Sequence, residues 1–350
     1  MDAETLSSLE MIRDSARGIV SRGDLSRIRK LRYTTPGFDR AVWADMCTMG
    51  WPALRLPEDR GGVGLGMQAY CVLAEELGHG LVPEPLIPAV LAAQLLDDAA
   101  LDGHLTGARL VIPAWADARD TLGPQGPLAV AGGRVTGRKL YVPMAAGADA
   151  FLVLGSTGAM LVDADAPGVG IETFETQDGG HFATLTLDAA HGTPIAADPT
   201  PALAEATLAT AAYMLGMMDA ALDMTVVYLK TRVQFGKAIG SFQILQHMAV
   251  DLKLEIELTR ASVWNTARLW DEQGDTRATR AAVSRSKARA SAAALKVGRD
   301  CIQLHGGIGF TDEHDIGLYL RKAIVTATQF GSAGRHRANF ARLMPLKEEA

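Results

Sequence analysis

The sequence predicts an α+β protein with its helices and strands segregated along the chain: a helical N-terminal part, a middle β-barrel or sandwich, and a C-terminal four-helix bundle. Three observations carry this reading. Apolar residues recur at three- and four-residue spacing at both ends of the chain. Between about 109 and 194 that period gives way to short β-type runs cut by Gly, Asp and Pro. Helical and strand patterns do not alternate, so a doubly wound parallel sheet is not expected. The expected domains are 1–107, 108–198 and 199–350.

Taken in order, Leu6, Leu9, Ile12, Ala16 and Ile19 form one face of an amphipathic helix over 4–22. A second helix runs from Phe38 to Met49 and stops at Gly50, and helices resume at 68–77 and 88–97. Strands are expected at 128–131, 133–136, 150–154, 160–162 and 183–187. Asp198-Pro199-Thr200-Pro201 breaks the chain, and long helices follow at 202–230, 242–273, 276–304, 313–328 and 332–344.

With 350 residues and 48% hydrophobic content, the chain can bury several cores. Its net charge of −6 gives no basic face for nucleic acid, and the cations between Arg277 and Arg299 read as a solvated helix face. Cys47, Cys71 and Cys301 are scattered, without a CxxC pair. That argues against a zinc site or disulfide scaffold and fits a reducing, cytoplasmic setting. No membrane span is expected; Ala202–Met218 comes closest and is interrupted by Glu205, Thr207 and Thr210. No metal site is expected.

Three glycine-bearing segments are candidates for chemistry. Residues 61–66 (GGVGLG) do not spell GxGxxG and follow a charged loop where a dinucleotide fingerprint needs a strand. Thr231–Gln243 places Arg232 and Lys237 in a turn before a helix that Ser241 can cap. It fits a phosphate or pyrophosphate, and equally an ordinary helix connection with surface cations. Gln303-Leu304-His305-Gly306-Gly307 closes a long helix; its glycines admit a ligand or simply end the helix, and His305 alone reads more simply as structural.

Together these segments resemble the acyl-CoA dehydrogenase family over nearly the whole chain. Gly50-Trp51 through Pro57-Glu58 and Gly61-Gly62, Glu75-Glu76-Leu77-Gly78, Arg232–Ile239 with Gln243, and Gln303–Gly307 with Gly309 and Thr311 are similar to its motifs, in its order. The resemblance implies FAD as cofactor and an acyl-CoA thioester as substrate, with electron-transferring flavoprotein as acceptor. It implies that Arg232, Phe235 and Gln243 contact the diphosphate and adenosine arm. It further implies that Gln303, Leu304, His305, Gly306 and Gly307 bind FAD across a subunit interface. The acyl pocket is expected around 74–81 and 213–218.

The chain departs from the family where the chemistry needs a base. Against the family's Tyr-Glu-Gly-Thr segment it has Gln329-Phe330-Gly331-Ser332, with Gly331 read at the glutamate position. An alternative base position falls at Ala206, beside Glu205, which is either a displaced base or a solvated carboxylate in the first helical turn. The segment that contacts the flavin ring, Thr-Glu-Pro through Gly-Ser-Asp, is replaced by Ile112–Ala118. These losses resemble the shorter, base-lacking subunit of α2β2 heterotetrameric, steroid-type acyl-CoA dehydrogenases. The alternatives are a self-sufficient homo-oligomer using Glu205 and a non-catalytic scaffold without flavin.

Overall fold

The computed structural model describes residues 3–344. The helices are α1 (Ala3–Ala16), α2 (Ser26–Leu31), α3 (Arg40–Thr48), α4 (Met67–His79), α5 (Leu86–Leu95), α6 (Asp98–Leu105), α7 (Thr200–Thr231), α8 (Gln243–Gln273), α9 (Arg277–His305), α10 (Ile316–Thr326) and α11 (Ala333–Leu343). The strands between α6 and α7 are β1 (Val111–Ala114), β2 (Ala129–Ala131), β3 (Arg134–Pro143), β4 (Ala150–Gly155), β5 (Gly158–Asp163), β6 (Val169–Glu175), β7 (His181–His191) and β8 (Thr193–Ile195). A two-strand hairpin, β9 (Val233–Gln234) and β10 (Lys237–Ala238), joins α7 to α8. The expected order of helices, strands, helices holds.

As compact units, however, the chain divides in two. One unit is Met1–Ile28, Met67–Val82 and Leu208–Ala350; the other is Arg29–Gly66 and Pro83–Thr207. The N-terminal helices are thus shared out. α4, with eleven of its thirteen residues buried, can be covered only by other helices, and it joins the C-terminal set.

Within the helical unit, α9 packs against α8, α10 and α11. Its buried face is small: Ala281, Ala282, Ser286, Ala290, Ala293 and Ala294 let the helices approach closely. A capping box between Thr276 and Thr279 starts α9, and Ser332 caps α11 by accepting from the Arg335 N–H. α7 is long and apolar enough to cross a membrane by length and composition, but 61% of that window is buried in the protein, as in a core helix. α4 and α7 meet backbone to backbone: a Cβ on Gly78 would overlap the Tyr213 carbonyl, and one on Gly216 the Glu75 carbonyl.

In the other unit the strands form two four-stranded sheets, β1-β4-β5-β8 and β2-β3-β7-β6. β1 pairs parallel with β4, and the remaining pairs are antiparallel. β4 is buried at every position while β6 is exposed at almost every one, so the first sheet lies in the core and the second ends on an open edge.

Candidate functional site

The segment after α7 is held by its own backbone. The Arg232 N–H donates to the Tyr228 carbonyl at 2.9 Å, and the Ile239 N–H donates to the Arg232 carbonyl at 2.8 Å. β9 and β10 pair through Gln234–Lys237 and Val233–Ala238. The two turn residues, Phe235 and Gly236, have φ of 55° and 78°. Glycine adopts this freely, whereas phenylalanine does so at a cost of about 1–3 kcal/mol. The strained ring is 87% exposed, with one edge against Phe242 at 6.0 Å. Lys237 Nζ sits 4.2 Å above the Phe242 ring.

Arg232, Lys237 and Gln243 are exposed. Among the described residues, neither cation pairs with a carboxylate. Ser241 is not the expected cap: its hydroxyl donates back to the Ala238 carbonyl at 2.7 Å. Phe242 takes the cap position and offers no side-chain acceptor, so the first N–H groups of α8 lack a side-chain partner. An uncapped helix start beside two unpaired cations suits an anionic group.

The other signature ends α9. Gly306, at φ 63°, turns the chain into a 3₁₀ turn over Gly306–Phe310. A Cβ on Gly306 or Gly307 would meet nothing within 4 Å, so this backbone is open to a ligand. Gly309 is the opposite case: a Cβ there would press on the Ile302 carbonyl at 2.6 Å. Gln303, Gly306 and Gly307 are exposed, but Leu304 is buried in the core and presents no side chain to a ligand. His305 is 2% exposed; its Nδ1 bonds the Cys301 carbonyl at 2.7 Å, and its Nε2 is buried without a partner.

The structure brings the two signatures together through a residue that sequence reasoning missed. Tyr228, in the last turn of α7, stacks on the His305 ring with centroids 4.5 Å apart and planes at 26°. His314 lies against the other two rings, at 4.5 Å from His305 and 6.1 Å from Tyr228. The only available signal was that Tyr228 stands one turn before Arg232. Around this end of the unit lie exposed apolar side chains, Val227, Val233, Phe235, Ile244, Ile308 and Phe310. Unpaired cations and open glycines fit the diphosphate and adenosine arm of a flavin dinucleotide, whereas the buried His305 ring presents no donor to it.

The segments read as lacking a base are each tied into their own surroundings. Laid ungapped over Gln329–Ser332, the Tyr-Glu-Gly-Thr pattern puts Phe330 at the glutamate position and Gly331 at the glycine, one residue from the expected register. Neither offers a carboxylate. Phe330 is buried at φ 56°, and its carbonyl accepts from His336 Nε2 at 2.9 Å. The fully buried Lys287 donates to the carbonyls of Ala327 at 3.1 Å, Gly331 at 3.2 Å and Thr326 at 3.4 Å, and to Ser291 Oγ at 3.0 Å. A cation across the carbonyl end of α10 is well placed electrostatically and fixes this loop.

Glu205 is not a solvated carboxylate. It is 6% exposed and held by Arg55, whose Nη2 reaches Oε1 at 2.6 Å and whose Nε reaches Oε2 at 2.9 Å. Gln94 Nε2 adds a bond to Oε2 at 2.9 Å. In the 112–118 stretch, Asp117 pairs with the nearly buried Lys139 at 2.5 Å and accepts from the Gln125 N–H at 2.8 Å. Its Oδ atoms are thus spent on holding β3 to this loop.

The expected acyl pocket is also filled. The stretches 74–81 and 213–218 meet at the Gly78 and Gly216 contacts, and Met214, Met217 and Met218 are core residues. Glu75, His79 and Asp219 bring their ligand atoms within 4.8 Å of one another, but the Arg260 guanidinium bonds both carboxylates and meets their charge. Burial raises the Glu75 carboxyl above its usual range against the pull of Arg260.

Comparison with known proteins bears on the family. Residues 198–344 match the acyl-CoA dehydrogenase C-terminal domain and residues 7–99 its N-terminal domain. The chain is 30% identical over 333 residues to acyl-CoA dehydrogenase IpdE2 of Mycolicibacterium smegmatis, covering 92% of this chain and 94% of the relative. It is 29% identical to acyl-CoA dehydrogenase FadE34 of Mycobacterium tuberculosis, over 95% of this chain but 47% of that one. Among solved structures, a variant of the Tcur3481–Tcur3483 steroid acyl-CoA dehydrogenase superposes with a TM-score of 0.86 at 32% identity, covering 96% of this chain and 97% of that one. The ChsE4–ChsE5 complex of Mycobacterium tuberculosis shares the fold, with a TM-score of 0.85 at 24% identity over 98% of this chain and 97% of that one. The chain belongs to the acyl-CoA dehydrogenase family.

Proposed function

We propose that this chain is the base-lacking subunit of a heteromeric, FAD-dependent acyl-CoA dehydrogenase that acts on a bulky, steroid-type acyl-CoA. The observation that carries the reading is the loop over 326–331. No residue in it has a carboxylate, and Lys287 and His336 bind its carbonyls so that it serves as packing. α,β-Dehydrogenation needs a carboxylate to take the α proton, and a homologous partner subunit would supply it. FAD, when bound, supplies the two-electron acceptor. Arg232 and Lys237 would neutralise its diphosphate, Phe235 and Gln243 would line the adenosine arm, and Gln303 and the Gly306–Gly307 backbone would complete the hold, with the buried His305 supporting that turn from within.

The steroid acyl-CoA dehydrogenase among the structural neighbours supports the substrate class, and the ChsE4–ChsE5 complex supports the partner. Electron-transferring flavoprotein is the acceptor this reading takes. A self-sufficient enzyme using Glu205 finds no support, because both carboxylate oxygens are bonded to Arg55. Expression with and without the homologous subunit tests the reading. Flavin absorbance and turnover of a steroid-type acyl-CoA should arise only with the partner; full turnover by the isolated chain would refute it.

A further inference from the structure

The ring cluster that joins the two signatures has a fixed proton arrangement. A carbonyl only accepts, so the Cys301 carbonyl places the proton of His305 on Nδ1. Nε2 of the neutral ring is then a lone-pair acceptor, buried and unpartnered. His314 Nδ1 accepts from the Ile316 N–H at 3.1 Å, so its own proton is on Nε2. Tyr228 stacks on one face of His305, and His314 lies to the side of that stack.

We propose that Tyr228 and His314 are positioning residues that hold His305 neutral, and that this stack makes retention of the adenosine diphosphate arm by the two motifs dependent on pH. The inference rests on the FAD reading above and adds its regulation. A proton on Nε2 would create a buried N–H without an acceptor, on a charged ring whose neighbour at 4.5 Å is a second imidazole. The groups facing His305 are Tyr228 from α7, His314 from the segment before α10, and Cys301 from its own helix. The Cys301 thiol is pushed up to about 11 by burial and stays neutral. Among the described residues, no carboxylate lies in ion-pair range of His305.

Burial lowers the proton affinity of His305, the bond to the Cys301 carbonyl works against it, and a proton on the neighbouring His314 would lower it further. The sign follows. The stacked state keeps the ring neutral, while the opened state takes up a proton at the ordinary histidine value of about 6.5. The stack is therefore fully favoured above that pH and is lost progressively as pH falls below it. Opening frees the 3₁₀ turn at Gly306–Phe310 from α7, and with it half of the candidate cofactor hold.

The test is FAD binding, followed by flavin fluorescence with the assembled complex, with ADP as a probe of the arm alone. Between pH 6.5 and 5.5 the dissociation constant should rise about fivefold, for one proton taken up per site. His314→Gln, which keeps an acceptor for the Ile316 N–H, should flatten that dependence. Tyr228→Phe should keep the wild-type profile and Tyr228→Leu should lose it. A pH-independent wild type, or a His314→Gln profile that follows the wild type, would overturn the proposal. If no FAD binds at pH 7.5, the FAD reading fails instead. Imidazole 15N spectra of the full chain then decide the ring cluster alone, since His305 without an Nδ1–H tautomer at neutral pH would overturn it.

Discussion

The two ends of α7 treat charge in opposite ways. Near its start, Glu205 is buried and carries a bidentate guanidinium plus an amide, both from the unit of Arg29–Gly66 and Pro83–Thr207. Past its other end, Arg232 and Lys237 stand exposed with no carboxylate partner among the described residues, beside an uncapped helix start and open glycines. A buried ion pair that satisfies itself has no capacity left for a ligand. Cations left unpaired at a preformed turn have that capacity and cost the fold little. The difference separates a structural charge from a binding charge, although both are conspicuous as single letters.

Breaking the buried end should give the largest effect. Glu205→Ala leaves Arg55 buried without its partner and should cost about 3–5 kcal/mol in urea unfolding. If Glu205 were instead a base, removing it would leave stability within about 0.5 kcal/mol and abolish turnover of a pure homo-oligomer. Next comes the seam between α4 and α7, which lies in the other unit. Gly216→Ala forces a methyl group onto the Glu75 carbonyl and should cost about 1–3 kcal/mol by thermal denaturation. An unchanged Tm would show that the helices can separate, and an acyl chain could then enter between them.

The exposed end should respond in binding and not in stability. Arg232→Ala should lower FAD affinity of the assembled complex by about 1.5–3 kcal/mol, a charged hydrogen bond's worth. The unliganded chain should keep its unfolding midpoint, a contrast that would vanish if Arg232 were a mere surface cation. The smallest change is expected at the hairpin tip. Phe235→Asn relieves a positive φ that asparagine tolerates and should stabilise the chain by roughly 1 kcal/mol. The same substitution should weaken flavin retention, so equal binding by both forms would remove Phe235 from the site.

Much of the architecture was legible because long helices declare their period. α7, α8 and α9 begin and end within a few residues of the expected limits. α2 and α6 were missed because six and eight residues hold too few apolar positions to establish a period. β6 was missed because it is exposed along nearly its whole length and shows no alternation. The cap at Ser241 failed because the tight turn offers its hydroxyl a nearer acceptor at Ala238. The division into two units was not legible, since α1 packs on α4 and α4 finds its further partner in α8, more than a hundred residues away. At the site, Arg232, Gln243 and Gln303–Gly307 were readable as motifs. The partner of Glu205 lies 150 residues back, and the stack of Tyr228 on His305 spans 77 residues. Pairings of that kind are decided by packing and leave no local pattern.

The exposed apolar side chains Val227, Val233, Phe235, Ile244, Ile308 and Phe310 also bear on how much of this chain a cell can carry. Apolar surface of this kind stays soluble only while something covers it. Under the proposed heteromeric assembly, copies made in excess of the partner would be candidates for self-association and proteolysis, and the usable amount of this polypeptide would follow the abundance of the other. Balanced synthesis, of the sort that joint transcription provides, would then be a condition for its persistence as much as for its activity.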